Sequence, residues 1–402
     1  MKPWITIVGI GEDGIEALTP AARALVDSAE VLVGGERHLA MVPAGPAERL
    51  QWADGFRPTL DEIATRRGQR IVVLASGDPL FYGAGAVISR HFAAEDFAVI
   101  PAPGAFSLAA ARLRWPVHEC ELITVHGRPL ATLNLHIAPG VRLLILSWNG
   151  DTPAQVAALL KERGYGSSPM VVFENMGGRT EARLDGTAET WNHGRAGDLN
   201  TIAVDCQPGA DAVAWPRVPG LPEEAFEHDG QITKREVRAA TLAALAPLPG
   251  QRLWDIGAGS GAVAIEWLRS DRSLSAVAVE QDAERAAAIA RNAAKLGVPR
   301  LRIVEGTAPD ALAELDGPPD AIFVGGGVGD GAILDACWSA LPAGGRIVAN
   351  AVTVEGEAAL ISFRDMHGGD LTRLSVSRAG PIGEKTAFRP LMDVTQLAAV
   401  KT

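Results

Sequence analysis

The sequence predicts an α/β protein of two domains, and three observations carry the prediction. Apolar runs of strand length alternate with Ala-rich helical stretches over most of the chain. At 402 residues the chain is long enough for two cores of ordinary size. Between the halves lies CQPGADAVAWPRVPGLPEEAFEHDG (206–230), with four prolines and neither helical nor alternating periodicity. Proline removes backbone donors and biases its neighbour toward extended backbone, so this stretch reads as a linker. The expected domains are 1–210 and 228–402, joined by a Pro-rich linker over 211–227.

In the first half, ITIVGI (5–10) reads as a strand, followed by a loop and the helix TPAARALVDSA. RIVVLAS (70–76) is a second buried strand that ends in GDPLFYG. DFAVIPAPG (96–104) is a third, leading into the helix AFSLAAARL. RLLILSW (142–148) and PMVVFEN (169–175) are further strands, separated by the helix PAQVAALLKERG, and LNTIAVDC (199–206) closes the set. Loops at the carboxyl ends of such strands are the usual ligand-binding edge of an α/β sheet.

The second half opens with the helix ITKREVRAATLAALA, then strand RLWDIG, helix AVAIEWLR, strand SAVAVEQD and helix AERAAAIARNAAKLG. Strands LRIVEG and AIFVGG, helix GAILDACWSAL and strand RIVAN follow. This order predicts a doubly wound, parallel sheet. The glycine signatures of the two halves differ, so the halves are not duplicates.

Composition narrows the function. A net charge of −11 opposes general nucleic-acid binding, which needs a basic surface, but leaves room for an anionic small ligand held by local Arg groups. The three cysteines are far apart and no Cys/His ligand spacing occurs, so neither a disulfide framework nor a metal site is expected. The start MKPWITIVGIGEDG goes directly into strand and loop, and no apolar run reaches membrane-spanning length. A cytoplasmic protein with no membrane or nucleic-acid partner is expected.

WDIGAGSGAVAIEW (254–267) carries the clearest chemistry. Gly257, Gly259 and Gly261 fit both GxGxxG/A and a looser GxGxG, a weak match alone. Glycines here permit positive φ and let backbone approach a ligand, while the following helix N-terminus favours an anion or electron-rich group. A tight turn, a dinucleotide site and an S-adenosylmethionine site all fit that outline. Asp255 separates the last two: a carboxylate there repels a pyrophosphate but faces an ammonium. Glu280, ending the next strand, is placed for a ribose diol in either case, and Gly306-Thr307-Ala308 can border an adenine. Suitable residues at four strand ends favour S-adenosylmethionine, with an NAD(P) oxidoreductase as the rival reading.

ITKREVRA, WDIGAGSGAVAIE, GTAPDAL and FVGGG, with GEKTAFRP near the end, make the second half resemble the decarboxylating precorrin methyltransferase domains of cobalamin biosynthesis. FVGGG, which includes Gly325, is the more specific element; three glycines leave room for a large flat substrate. The resemblance implies a Rossmann-like methyltransferase fold over 228–402. Thr233 either caps the first helix or lines the cofactor pocket.

VGIGEDG, SGDPLFYG, PAPGAFSLAAARL and ENMGG make residues 4–206 resemble the tetrapyrrole methylases, whose usual opening is VGxGPG; here Glu12-Asp13 replace the usual Gly-Pro region. That resemblance implies two α/β subdomains with S-adenosylmethionine in the cleft between them. It places cofactor contacts on Ile10, Asp78, Phe81, Phe106 and Ser107, and on Asn149, Asn175 and Thr201. VHGR (125–128) is similar to the C5-methylating branch, which makes His126 and Arg128 candidate substrate-side groups; a surface turn is the alternative.

Together the halves resemble the fused precorrin-6Y C5,15-methyltransferases (decarboxylating). The resemblance implies one S-adenosylmethionine per domain and methylation of a polycarboxylate tetrapyrrole at C5 and C15. It further implies loss of the C12 acetate carboxyl, giving precorrin-8, and a homo-oligomer. Another corrinoid or porphyrin methyltransferase is the alternative. Methyl transfer to an enamine-like meso carbon mostly needs alignment, so no nucleophilic triad or metal is called for. Carboxylate grips are candidates at Arg112, Arg114, Arg128, Lys234, Arg235 and Arg238, although four of these lie in helical stretches where a solvated face also accounts for them. The catalytic candidates are His126, Arg128 and Lys234, with no acid or base singled out.

Overall fold

A computed structural model describes residues 3–53 and 55–402. The chain divides into two compact units, Met1–Leu130 with Ile137–Val213 and Ala131–His136 with Ala214–Thr402.

The first unit holds two five-stranded sheets. The first alternates β1 (Ile5–Ile10), α1 (Pro20–Asp27), β2 (Val31–Gly34), α2 (Glu36–Ala40), β3 (Glu48–Gln51), α3 (Phe56–Thr65), β4 (Ile71–Ser76), α4 (Ala84–His91) and β5 (Phe97–Ile100). All its pairings are parallel, in the order β3-β2-β4-β1-β5. Ile5, Ile7, Val73 and Val33 are fully buried, as expected of strands covered on both faces. Helix α5 (Ala105–Leu113) leads into the second sheet. That sheet contains β6 (Cys120–Thr124), β7 (Arg142–Leu146), α6 (Thr152–Glu162) on the β7–β8 connection, β8 (Pro169–Glu174), β9 (Ala182–Thr187) and β10 (Asn200–Asp205), in the order β6-β7-β10-β8-β9. Only β6–β7 is parallel there. The short strands β2, β3, β6 and β9 have no counterpart in the sequence reading, because four to six residues carry too little periodicity.

The second unit runs α7 (Arg235–Leu245), β11 (Arg252–Ile256), α8 (Ala262–Ser270), β12 (Ser275–Glu280), α9 (Ala283–Lys295), β13 (Arg302–Glu305), β14 (Ala321–Val324), α10 (Gly331–Ala340), β15 (Arg346–Ala351) and α11 (Val354–His367). Strands β16 (Asp370–Leu374), β17 (Ser377–Ile382), β18 (Lys385–Pro390) and β19 (Val394–Val400) complete it. The main sheet has the order β13-β12-β11-β14-β15-β19-β16. Its first five strands are parallel, as the sequence predicts, but β19 and β16 join antiparallel, and β17–β18 form a separate hairpin. The strand order reverses between β12 and β14 around β11, which makes the carboxyl end of β11 the switch point of the sheet.

The 211–227 segment differs from a free linker. Leu221, Ala225 and Phe226 are buried in the core of the second unit with Leu242, Leu253 and Trp267. Prolines mask these apolar residues in a periodicity search, yet each still removes apolar surface from water. Among the described residues no helix is long and apolar enough to cross a membrane.

Candidate functional site

The carboxyl ends of β11, β12, β13 and β14 enclose a cavity of about 930 Å³ in the second unit. Gly257 (φ +68°) forms its floor: a Cβ there would stand 2.8 Å from Gly326 Cα, so the loops after β11 and β14 meet backbone to backbone. Gly259 (φ +58°) has only Gln231 O, at 3.7 Å, near the place a Cβ would take. Its N–H donates to Glu280 Oε2 at 2.7 Å, and Asp282 N donates to Glu280 Oε1 at 3.1 Å. Glu280 is thus fixed at the wall by two backbone donors, with lone pairs left for a ligand's hydroxyl groups.

Thr233, Lys234, Gly257, Gly259, Glu280 and Thr307 all line this cavity, as do Gly306, Ala308 and Gly325. Thr233 lines it without capping α7, whose N-cap is Lys234 with no side-chain bond. Two of the expected residues lie outside this lining. Asp255 does not line the cavity; it is 1% exposed and its Oδ2 accepts Ala264 N at 3.0 Å, bracing the first turn of α8 from beneath. Burial, opposed by the Ala264 N–H and reinforced by the Glu280 charge, pushes its carboxyl up to about 7, and among the described residues Oδ1 has no hydrogen-bond partner. Gly261 also lies outside the lining, and its Cβ would stand 2.7 Å from Ile289 Cγ2, so this glycine serves the packing of α8 on α9.

Sequence reasoning missed Gln231, Asn350, Val352, Leu391 and Met392, which complete the wall. Asn350 ends a strand and was findable on that ground. Its Nδ2 donates to Thr241 Oγ1 at 2.9 Å while Gln396 Nε2 donates to its Oδ1 at 2.9 Å, a network that fixes its orientation. The wall fits a nucleoside bearing an amino acid: glycine backbone for close approach, a fixed carboxylate for a diol, and apolar borders at Ala308 and Val279.

In the first unit, Gly77 N donates to Ile10 O and Ala102 N to Gly77 O, both at 3.1 Å, which stacks the ends of β1, β4 and β5. A Cβ on Gly77 (φ +54°) would stand 2.6 Å from Gly104 Cα. This brings Ile10, Asp78, Phe81, Phe106 and Ser107 to one edge. Asp78 Oδ1 accepts Leu80 N at 3.0 Å, and Phe81 meets Phe106 edge-on at 5.4 Å. Phe106 packs in one cluster with Phe173, the neighbour in register of Thr201. Thr201 is itself buried in β10, so its side chain is confined to the sheet. Asn149 spends its Oδ1 on Asp151 N at 2.9 Å, forming the turn into α6, and Asn175 holds a left-handed turn at φ +46° after β8.

His126 is exposed and stacks on Trp148 at 5.5 Å, and the Arg128 guanidinium lies 5.3 Å over the Tyr82 ring. Tyr82 itself has φ +62°, unusual for a bulky residue. Among the other grip candidates, Arg112 is spent in a two-pronged ion pair with Glu181, and Arg238 is fully buried against Glu266 at 2.8 Å. Arg114 is an exposed left-handed C-cap of α5, and Arg235 is exposed at the start of α7.

A cluster absent from the sequence reading stands at the end of β4. Arg37 Nη2 donates to Ser76 Oγ at 2.9 Å, His38 Nε2 lies 2.9 Å from the same oxygen, and Arg37 pairs with Glu12. Burial, then the Arg37 charge, lowers the His38 imidazole to about 4. Glu12, the departure from VGxGPG, is therefore the counter-ion of Arg37.

The family described as precorrin methyltransferase domain matches residues 224–401, and that described as tetrapyrrole (corrin/porphyrin) methylases matches residues 5–191. A precorrin-6Y C(5,15)-methyltransferase [decarboxylating] of Sinorhizobium sp is 44% identical over 402 residues, covering 100% of this chain and 97% of that one. Its counterpart in Mycobacterium tuberculosis (strain CDC 1551 / Oshkosh) is 43% identical over 403 residues, covering 99% and 100%. The crystal structure of the C-terminal domain of precorrin-6Y C5,15-methyltransferase from Rhodobacter capsulatus is 45% identical; it covers 46% of this chain and 100% of that domain, with a TM-score of 0.44. At this identity over the full length of both relatives, the chain belongs to the family of precorrin-6Y C5,15-methyltransferases (decarboxylating).

Proposed function

We propose that the chain methylates precorrin-6Y at C5 and C15 and removes the carboxyl of its C12 acetate, giving precorrin-8, with one S-adenosylmethionine used in each unit. The observation that carries the reading in the second unit is the cavity at the β11 switch point, where Gly257, Gly259 and Glu280 present backbone and carboxylate to one space. S-Adenosylmethionine supplies an electrophilic methyl group on a sulfonium. The chain's own residues then have to bind and orient. Gly259 and the floor at Gly257 admit the ligand's amino-acid end, Glu280 accepts from the ribose hydroxyls, and Thr307-Ala308 border the base. Holding the nucleophilic carbon in line with the methyl accounts for much of the barrier reduction, because orientation replaces a bimolecular encounter.

In the first unit the reading is supported by the junction of the β1, β4 and β5 ends at Ile10, Gly77-Asp78 and Gly104. His126 and Arg128, beside the exposed rings of Trp148 and Tyr82, face a flat anionic substrate with stacking surface and positive charge. The test is titration of the full chain with S-adenosylhomocysteine, paired with mass spectrometry of a precorrin-6Y reaction. Two binding sites, two added methyl groups and loss of one carboxyl are expected. NADH binding with no S-adenosylhomocysteine uptake would overturn the reading.

A further inference from the structure

The cavity of the second unit has three ionisable side chains in its described wall, Glu280, Arg285 and Lys234. Glu280 is bound by Gly259 and Asp282, and Arg285 is held by Asp229 at 2.8 Å. Lys234 is half-buried at the N-cap of α7, and among the described residues no side-chain partner of it is found. At about 930 Å³ the cavity lies near the upper end of the range for small-molecule sites, roughly 300–1,000 Å³, so it has room beyond one nucleoside. Part of the remaining wall is apolar, made by Val352, Val376, Leu391 and Met392. Val352 and Met392 are 50% and 74% exposed, as a rim that receives a flat macrocycle would be.

On the functional reading above, we propose that Lys234 receives the acetate carboxylate that is lost and then supplies the proton that replaces it. An anionic side chain entering this space meets one cation that has no competing partner. A macrocycle seated on the apolar rim would exclude water from this pair and so strengthen the attraction, since charges interact more strongly where water is excluded. In the step, the bond between the side-chain methylene and its carboxylate breaks, its electron pair passes into the conjugated macrocycle, and CO₂ leaves. The electron pair then returns to the methylene carbon, which takes one proton from the Lys234 ammonium. A methyl group remains, and the neutral amine regains its proton from solvent.

The test uses the full chain and a precorrin labelled in its acetate carboxyls, following labelled CO₂ and, in parallel, S-adenosylhomocysteine affinity and thermal melting. Lys234→Met is expected to lower the rate of CO₂ release by about 10²–10⁴-fold, the usual worth of a positioned acid, while binding S-adenosylhomocysteine as the wild type does. Lys234→Arg keeps the positive charge but not a transferable proton, so it is expected to hold KM near the wild type and lose kcat. CO₂ release by Lys234→Met within twofold of wild type would overturn the proposal. So would joint loss of S-adenosylhomocysteine binding, which would make Lys234 part of the cofactor wall, and so would full kcat in Lys234→Arg. A wild type that releases no labelled CO₂ overturns the functional reading, and this step with it.

Discussion

Arg238 and Glu266 face each other inside the second unit, Nε to Oε1 at 2.8 Å, with neither side chain more than 2% exposed. Glu266 also accepts Gly220 N at 2.7 Å and Leu221 N at 2.8 Å, while Arg238 donates to Leu221 O and Thr233 O and stacks on Phe226 at 4.9 Å. The pair thus joins α7 and α8 to the 220–226 segment, and it fixes the backbone next to Lys234.

Breaking that pair on one side leaves a buried charge unpaired. Glu266→Gln is expected to cost about 3–5 kcal/mol, the range for half of a buried ion pair. Urea unfolding followed by fluorescence checks this; a loss under 1 kcal/mol would mean that water reaches Arg238 after all.

Gly259→Val places a β-branched side chain at φ +58°, which such residues avoid, and fills space on the cavity wall. Titration of the full chain with S-adenosylhomocysteine is expected to show one site weakened by tenfold or more and the other unchanged. Two undisturbed sites would remove the glycine loop from ligand binding. Asp78→Ala makes the complementary test, because Asp78 Oδ1 shapes the turn after β4. It is expected to weaken only the site of the first unit.

The contrast between Gly259 and Gly261 shows where sequence reading stops. Spacing identifies both as positions for positive φ, and both have it. Only the packing of α9 reveals that one looks onto the cavity and the other onto Ile289. Asp255 is a similar case: its place before the loop was legible, but the direction of its carboxylate depended on the N–H of Ala264. Residues supplied by strand ends, such as Glu280, Thr307 and Gly325, were legible because the topology alone puts them at one edge. Leu391 and Met392 were not, since they come from the connection after a hairpin whose alternation is weak. The Arg37–His38–Ser76 cluster joins α2 to β4 across some forty residues, and no local pattern reports such a contact.

Asp255 also gives a pH dependence. Its folded carboxyl, at about 7, lies above the ordinary aspartate value of 3.8, so the folded state binds the proton more tightly. The stability from this group is therefore complete below about pH 3.8 and is lost as pH rises through about 7. At ~1.4 kcal/mol per pH unit the loss is on the order of 4 kcal/mol. Asp255→Asn, which keeps an oxygen for Ala264 N, is expected to flatten the fall in melting temperature between pH 5 and 8. Parallel wild-type and variant curves over that range would show that Asp255 does not titrate there.

Gly261 and Ile289 supply the sharpest test of packing in the second unit. A Cβ at Gly261 would lie 2.7 Å from Ile289 Cγ2 and 3.2 Å from Cγ1, at a φ of +73°. Gly261→Ala combines left-handed backbone strain of roughly 1–2 kcal/mol with overpacking of about 1–3 kcal/mol. Ile289→Ala, at a fully buried position, removes the obstructing atoms and costs about 2–5 kcal/mol alone. The two changes share one contact, so their combined cost is expected to fall short of the sum by at least ~1 kcal/mol. Denaturant unfolding of both single variants and the double variant measures that difference. Strict additivity would mean that backbone strain alone requires glycine at 261, and that the approach of α9 is not what excludes a side chain there.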